Sequence, residues 1–228
     1  MNFIFVSPQF PRVYWNFCDR LKNKGVNVLG IGDTPYDQLQ HEVRESLTEY
    51  YFVPSLADYD QMLRAVAFFT FKYGRIDWLE SNNEHWLESD AHLRTDFNIR
   101  TGWQIGDIQH IKNKSAMKPF YKKAGIPTAR LSKVTTLAAA EKFLAEVGYP
   151  VIVKPDTGVG ATDTYRIDNH SELRHFYASK PTVPYVMEEF VTGDICSYDA
   201  IVDADSNPIF ESMTVWPPSV MDIVLYQL

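Results

Sequence analysis

The sequence predicts an α/β chain built in two styles: a parallel, Rossmann-like sheet with helices, then an α+β region that closes on an antiparallel hairpin. Three observations predict it. Up to about residue 96, short apolar runs alternate with segments of helical period, the pattern of strand–helix–strand units around a parallel sheet. From Tyr149, a short apolar strand ends in Lys154 and runs into the glycine loop Gly158-Val159-Gly160-Ala161-Thr162. Near the end, residues 195–202 and 209–215 are strand-like and flank the polar turn 203–208, which reads as a hairpin.

Residues 2–7 read as a buried strand. Val13, Phe17 and Leu21 recur every four residues, the core face of a helix over about residues 12–24, with Cys18 packed within it and Gly25 closing it. Residues 26–31 and 50–53 supply the second and third strands, the latter ended by Pro54. Helical period returns over residues 59–73, where Met62, Val66 and Phe69 form the stripe and Gly74 stops it; residues 76–80 are a fourth strand. Such sheets place ligands beyond the carboxyl ends of their strands, so Ser7 to Phe10, Asp33 to Tyr36 and Ser81 to Glu84 are candidate cleft positions. Gly30 and Gly32 do not make a dinucleotide fingerprint. They follow the second strand, a third glycine is missing, and Pro35 stands where the helix should open.

A helix over residues 84–95 leads to residues 97–102, the exit from a first domain spanning 1–108. Residues 112–124 are helical, stopped by Gly125 and Pro127, and Lys112, Lys114, Lys118, Lys122 and Lys123 crowd that segment. A basic face in water accounts for most of them, and Lys118 is expected to be an exposed member of it. Leu137, Ala140, Leu144 and Val147 mark the next helix, ended by Gly148; strands follow at 151–154 and 164–167. His170-Ser171-Glu172 reads as a helix start with Ser171 as its cap. Residues 185–188 form the strand before the hairpin, and the second region divides into 109–187 and 188–228.

With 228 residues, 45% hydrophobic and 22% charged, the chain has the composition of an ordinary globular protein with a sizeable core. Its net charge of −7 argues against a nucleic-acid partner, because phosphate binding needs a basic footprint. No apolar run approaches a membrane span, and residues 1–6 lack the length and basic flank of a signal peptide. Cys18 and Cys196 form neither a framework nor a CxxC motif, so free thiols in a cytoplasmic protein are expected. The six histidines show no metal-ligand spacing.

Strand alternation puts Val151 and Val153 on one face and Ile152 and Lys154 on the other, so Lys154 projects into a cleft. Gly158 and Gly160 let the following backbone present its N–H groups to an anion, and an ammonium beside such a loop makes a polyphosphate clamp. The order excludes a P-loop, in which the lysine follows the glycines. Upstream stand Asn113-Lys114-Ser115-Ala116-Met117 and Tyr121-Lys122-Lys123-Ala124-Gly125-Ile126-Pro127. Downstream stands Tyr185-Val186-Met187-Glu188-Glu189-Phe190-Val191-Thr192-Gly193-Asp194. In this order the three segments resemble the nucleotide-binding half of the ATP-grasp superfamily, near its biotin carboxylase and carbamoyl phosphate synthase branch.

The resemblance implies a Rossmann-like pre-ATP-grasp domain, an α+β ATP-grasp small lobe and the first strands of the large lobe. It implies that Lys154 contacts the α- and β-phosphates and that Lys114 reaches the nucleotide from the small lobe. Val159, Ala161 and Thr162 would join Gly158 and Gly160 in the phosphate loop. Glu188 would accept from the adenine amino group through its side chain and Glu189 through its carbonyl. Val191 would donate its N–H to the ring, with Phe190 in the same segment. Where many relatives hold a ribose-binding glutamate, this chain has Ile195 with Asp194 beside it. ATP is the implied cofactor, with Mg²⁺ expected for the complete protein, and a small carboxylate is the implied partner substrate. The implied activity is that of an ATP-dependent ligase, which activates a carboxylate as an acyl phosphate for attack by an amine or another nucleophile. Biotin carboxylase-like carboxylation and a non-catalytic nucleotide-binding module are the alternatives. The family's magnesium ligands lie in the later large lobe, and no Glu-x-Asn segment follows Val215. The chain is therefore expected to be truncated, inactive as given, and prone to self-association through its C-terminal hairpin.

Overall fold

Phe3, Ile4, Phe5 and Val6 are all buried, which an isolated strand of alternating faces would not achieve; the strand must be covered on both sides. In the computed structural model, which describes residues 1–158, 163–203 and 205–218, that is what happens. The chain divides into two compact units, Met1–Lys112 and Asn113–Leu228. The elements of the first are β1 (Asn2–Val6), α1 (Trp15–Lys22), β2 (Asn27–Gly32), α2 (His41–Ser46), β3 (Glu49–Phe52), α3 (Tyr59–Tyr73), β4 (Trp78–Glu80), α4 (Leu87–Asp96) and the single turn α5 (Gln109–Lys112). Its sheet has the order β3-β2-β1-β4, and every pairing is parallel. Ile4 and Val6 face one side, packed with Met62, Ala65, Val66 and Phe69 of α3 and Leu93 of α4. Phe3 and Phe5 face the other, packed with Cys18 of α1 and Val43 of α2.

The α3 boundaries follow from its ends. Asp58 has extended backbone and accepts from the Gln61 N–H, and Gly74 at φ 82° leaves the helix in a conformation other residues reach only with strain. For α1 the expected stripe is out of place. Val13 lies before the helix and is exposed, and the outer edge of Phe17 faces water while its ring stacks on Phe5 at 6.2 Å. The helix begins at Trp15 rather than about residue 12, so its buried position is Cys18, whose thiol burial pushes up to about 12.

The second unit comprises α6 (Lys114–Lys123), β5 (Leu131–Lys133), α7 (Leu137–Val147), β6 (Val151–Pro155), β7 (Tyr165–Ile167), α8 (His170–Ser179), β8 (Tyr185–Glu189), β9 (Cys196–Val202) and β10 (Pro208–Val215). Its main sheet has the order β5-β8-β6-β7 and is antiparallel throughout. Val151, Val153, Ile167, Tyr185 and Met187 form the buried face, against Ala140, Phe143 and Leu144 of α7 and Leu173 and Phe176 of α8. The opposite face is left for polar work. The cap of α8 is Asn169, not Ser171: the Asn169 side chain accepts from the Glu172 N–H at 3.1 Å. Glu172 returns the favour by accepting from the Asp168 N–H at 2.8 Å, a reciprocal arrangement that places Ser171 inside the first turn.

The expected hairpin is present as β9 paired antiparallel with β10, and all eight residues of β10 are exposed. Among the described residues, no helix is long and apolar enough to cross a membrane.

Candidate functional site

The register of the second sheet assembles a site on its open face. Glu188 of β8 pairs with Ile152 of β6, so the two side chains share a face, and Lys154 stands two residues further along it. That diagonal lets Lys154 Nζ reach Glu188 Oε2 at 2.5 Å. From the other side, Lys118 of α6 brings its Nζ to Glu188 Oε1 at 2.9 Å and donates also to the Ala129 carbonyl at 2.9 Å. Lys118 is thus a member of the site and not an exposed lysine. It lies one helical turn after Lys114, so the two extend along one side of α6. Lys114 Nζ donates to the Gly158 carbonyl at 3.0 Å.

The position of α6 is set by a carboxylate from another element. Asp156, almost fully buried just after β6, accepts from the Ser115 N–H at 2.7 Å and from Ser115 Oγ at 2.6 Å. The Lys114 N–H donates to the Asp156 carbonyl at 2.9 Å. The first turn of α6 is therefore capped from β6, and the favourable end of its dipole meets a negative charge. This cap pins Lys114 to the start of the glycine loop, where Gly158 adopts φ 129°.

Alternation sends Glu189 the other way. Its carboxylate accepts from Arg130 N at 2.7 Å and Arg130 Nε at 2.6 Å, and Arg130 Nη1 continues to the Glu146 carbonyl at 3.0 Å. The Glu189 N–H donates to the Arg130 carbonyl at 3.1 Å, so it is the Glu189 carbonyl that can meet a ligand. Phe190 lies beneath the Arg166 guanidinium, 4.8 Å from ring centroid to Cζ, and Val191 is exposed. Val159, Gly160, Ala161 and Thr162, assigned to the phosphate loop from sequence, lie outside the described residues. Sequence reasoning missed Asp156, Ser115, Arg130 and the role of Lys118. The four-residue spacing of Lys114 and Lys118 was the available signal for the last.

The charges are balanced tightly. Burial pushes the Glu188 carboxyl up, but hydrogen bonds from Lys118 and Lys154 overcome this and hold it below the usual carboxylate range. Arg130 holds Glu189 low as well. Among the described residues, no three His, Cys, Asp or Glu side chains gather where they could hold a metal ion.

The first unit has its own polar crest at the carboxyl ends of β1, β2 and β4. Gln9 Nε2 donates to Asp33 Oδ1 at 2.9 Å, Tyr50 donates to the Thr34 carbonyl at 2.7 Å, and Tyr14 donates to the Asn82 carbonyl at 2.5 Å. Ser7 and Asn82 both hold positive φ, 57° and 52°. The strand order reverses between β1 and β4, which is where open parallel sheets form a crevice.

The fold has parallels among known proteins. The crystal structure of L-amino acid ligase from Bacillus licheniformis superposes with a TM-score of 0.63 at 16% identity, over 94% of this chain and 48% of that one. The biotin carboxylase domain dimer of Hydrogenobacter thermophilus 2-oxoglutarate carboxylase, in complex with MgADP, ADP and bicarbonate, gives 0.66 at 18%, over 86% and 46%. N5-carboxyaminoimidazole synthetase from Staphylococcus aureus complexed with ADP gives 0.67 at 14%, over 94% and 53%. The chain spans about half the length of these structures. Residues 111–214 match the family model of the ATP-grasp domain, and over most of its length the chain shares the fold of these three structures.

Proposed function

We propose that this chain grips adenine nucleotide for an ATP-dependent ligase, which activates a carboxylate as an acyl phosphate for attack by an amine or another nucleophile. The observation that supports this reading is the meeting of Lys154 and Glu188 on the open sheet face, with Lys114 held at Gly158 on the same side. A compact ammonium neutralises phosphate oxygens without demanding one fixed geometry, which suits Lys154 and Lys114 as phosphate ligands. The Glu188 side chain and the Glu189 carbonyl accept from the adenine amino group, and the Val191 N–H donates to the ring. Phe190 belongs to the same short segment, and Gly158, Val159, Gly160, Ala161 and Thr162 are assigned to phosphate binding by their sequence motif. In the reaction a carboxylate oxygen takes the γ-phosphoryl group, ADP leaves, and the nucleophile then expels phosphate from the acyl carbon. Magnesium would supply charge neutralisation at the phosphates. The free thiols of Cys18 and Cys196 fit a cytoplasmic protein. The exposed hairpin is the proposed surface for self-association.

Calorimetric titration with ATP tests the reading. Lys154→Met is expected to weaken binding by about tenfold or more, the usual consequence of losing a charge-assisted contact. Lys122→Met, on the exposed part of α6, should stay within about twofold of the unaltered chain. Equal losses from both, in folded proteins, would reject Lys154 as the phosphate ligand.

A further inference from the structure

One carboxylate serves two lysines, and the two are not equivalent. Lys118 is fixed by a second acceptor, the Ala129 carbonyl at 2.9 Å, whereas Glu188 is the hydrogen-bond acceptor that Lys154 has among the described residues. Lys154 stands four residues before Gly158 on the strand that leads into the loop. Lys118 approaches from α6 on the opposite flank of the carboxylate. We propose that Lys118 is a positioning residue for base selection, which holds the Glu188 carboxylate in place while an arriving polyphosphate draws Lys154 away from it. The inference rests on the nucleotide-binding reading above and names a role for a side chain that reading did not use.

The chemistry gives this arrangement a consequence for specificity. A carboxylate accepts from the exocyclic amine of adenine, but it repels the oxygen that guanine carries at the same position. That discrimination needs the carboxylate charged. When Lys154 turns to the phosphates, Glu188 keeps one cation, Lys118, and remains ionised. Without Lys118 a largely buried carboxylate would lose its last partner and take up a proton. A protonated carboxyl donates, and can then satisfy the guanine oxygen as well as the adenine amine.

The test is to titrate the full chain with ATP, GTP and tripolyphosphate, for the unaltered protein and for Lys118→Met and Lys118→Arg. In Lys118→Met the ratio of ATP to GTP affinity should fall by about tenfold, while tripolyphosphate affinity should change by less than about threefold. The lost discrimination should be greatest at acidic pH, and Lys118→Arg should restore it. Equal losses for ATP and tripolyphosphate, with the base ratio unchanged, would overturn the proposal and make Lys118 a phosphate ligand or a scaffold. If Lys118→Met does not fold, side-chain ¹⁵N spectra of the unaltered chain decide. Tripolyphosphate should move the Lys154 ammonium signal and leave that of Lys118 in place, and the reverse would overturn the idea. A chain that binds no adenine nucleotide at all overturns the functional reading and this inference together, whereas nucleotide binding with undiminished selectivity in Lys118→Met removes this inference alone.

Discussion

At the scale of single residues, the first unit contains a buried carboxylate with an unusual titration. Asp90 of α4 is fully buried, and its Oδ2 accepts from Ser81 Oγ at 2.6 Å and the Ser81 N–H at 3.1 Å. Burial raises its pKa to about 7; the Glu80 charge adds to the rise, while the Ser81 hydrogen bonds and the Arg94 guanidinium oppose it. Arg94 itself is buried, bonded to Glu80 at 2.7 Å and to the Leu79 carbonyl at 2.9 Å. The folded chain therefore holds a proton that the unfolded chain releases above about pH 4. Stability from this group falls as pH rises from about 4 to 7 and is level beyond. Asp90→Asn keeps the acceptor and removes the charge. Its stabilisation in urea denaturation should be near zero at pH 4 and reach on the order of 1–4 kcal/mol at pH 8. A gain that did not depend on pH would contradict this account. Asp90 could not be recognised in sequence, since nothing local marks an aspartate as buried. The place of Lys154 near the end of its strand was legible because a strand and a glycine loop bracket it. Lys118 was not, because five lysines in one helical segment look alike until the register of the helix is fixed.

That register is a property of the elements. Asp156 caps α6 across 41 residues of sequence, so no inspection of the helix alone reveals what anchors it. Asp156→Ala should cost about 1–2 kcal/mol in stability, the usual loss for an N-terminal cap. Because the cap also holds Lys114 at the loop, ATP affinity should fall in the same variant, while Thr136→Ala, which removes the cap of α7, should lower stability and leave affinity alone. Parallel losses of affinity in both variants would show that the effect is general destabilisation. Elements with strong ends were read closely: Tyr59–Tyr73 between Asp58 and Gly74, and Leu137–Val147 between Thr136 and Gly148. Elements too short to show a period were not. Leu131–Lys133 has three residues and His41–Ser46 six, and both owe their conformation to neighbours rather than to pattern. The surroundings of α1 show the same, since Tyr14 meets Phe5 edge-on and Phe17 stacks on it, contacts that lie outside the simple helical stripe.

For the molecule as a whole, the passage from a parallel sheet to an α+β region could be foreseen from the change in strand pattern, because parallel and antiparallel sheets place different demands on their connections. The hairpin β9–β10 was equally legible, yet its setting was not, since a strand's pattern does not say what covers it. On one face Cys196, Tyr198, Met213 and Val215 are brought together by direct cross-strand pairing, and all are exposed. A two-stranded ribbon with an uncovered apolar face is marginal by itself, and another copy is the proposed cover. The heat stability of this chain should then follow mass action: the unfolding midpoint should climb with protein concentration, as it does whenever folding and association are linked. Met213→Lys, which puts a charge in the middle of that face, should flatten the dependence. A midpoint that is the same at every dilution in the unaltered chain would mean that the ribbon stands without a companion, and that dilution, the simplest of perturbations, costs this protein nothing.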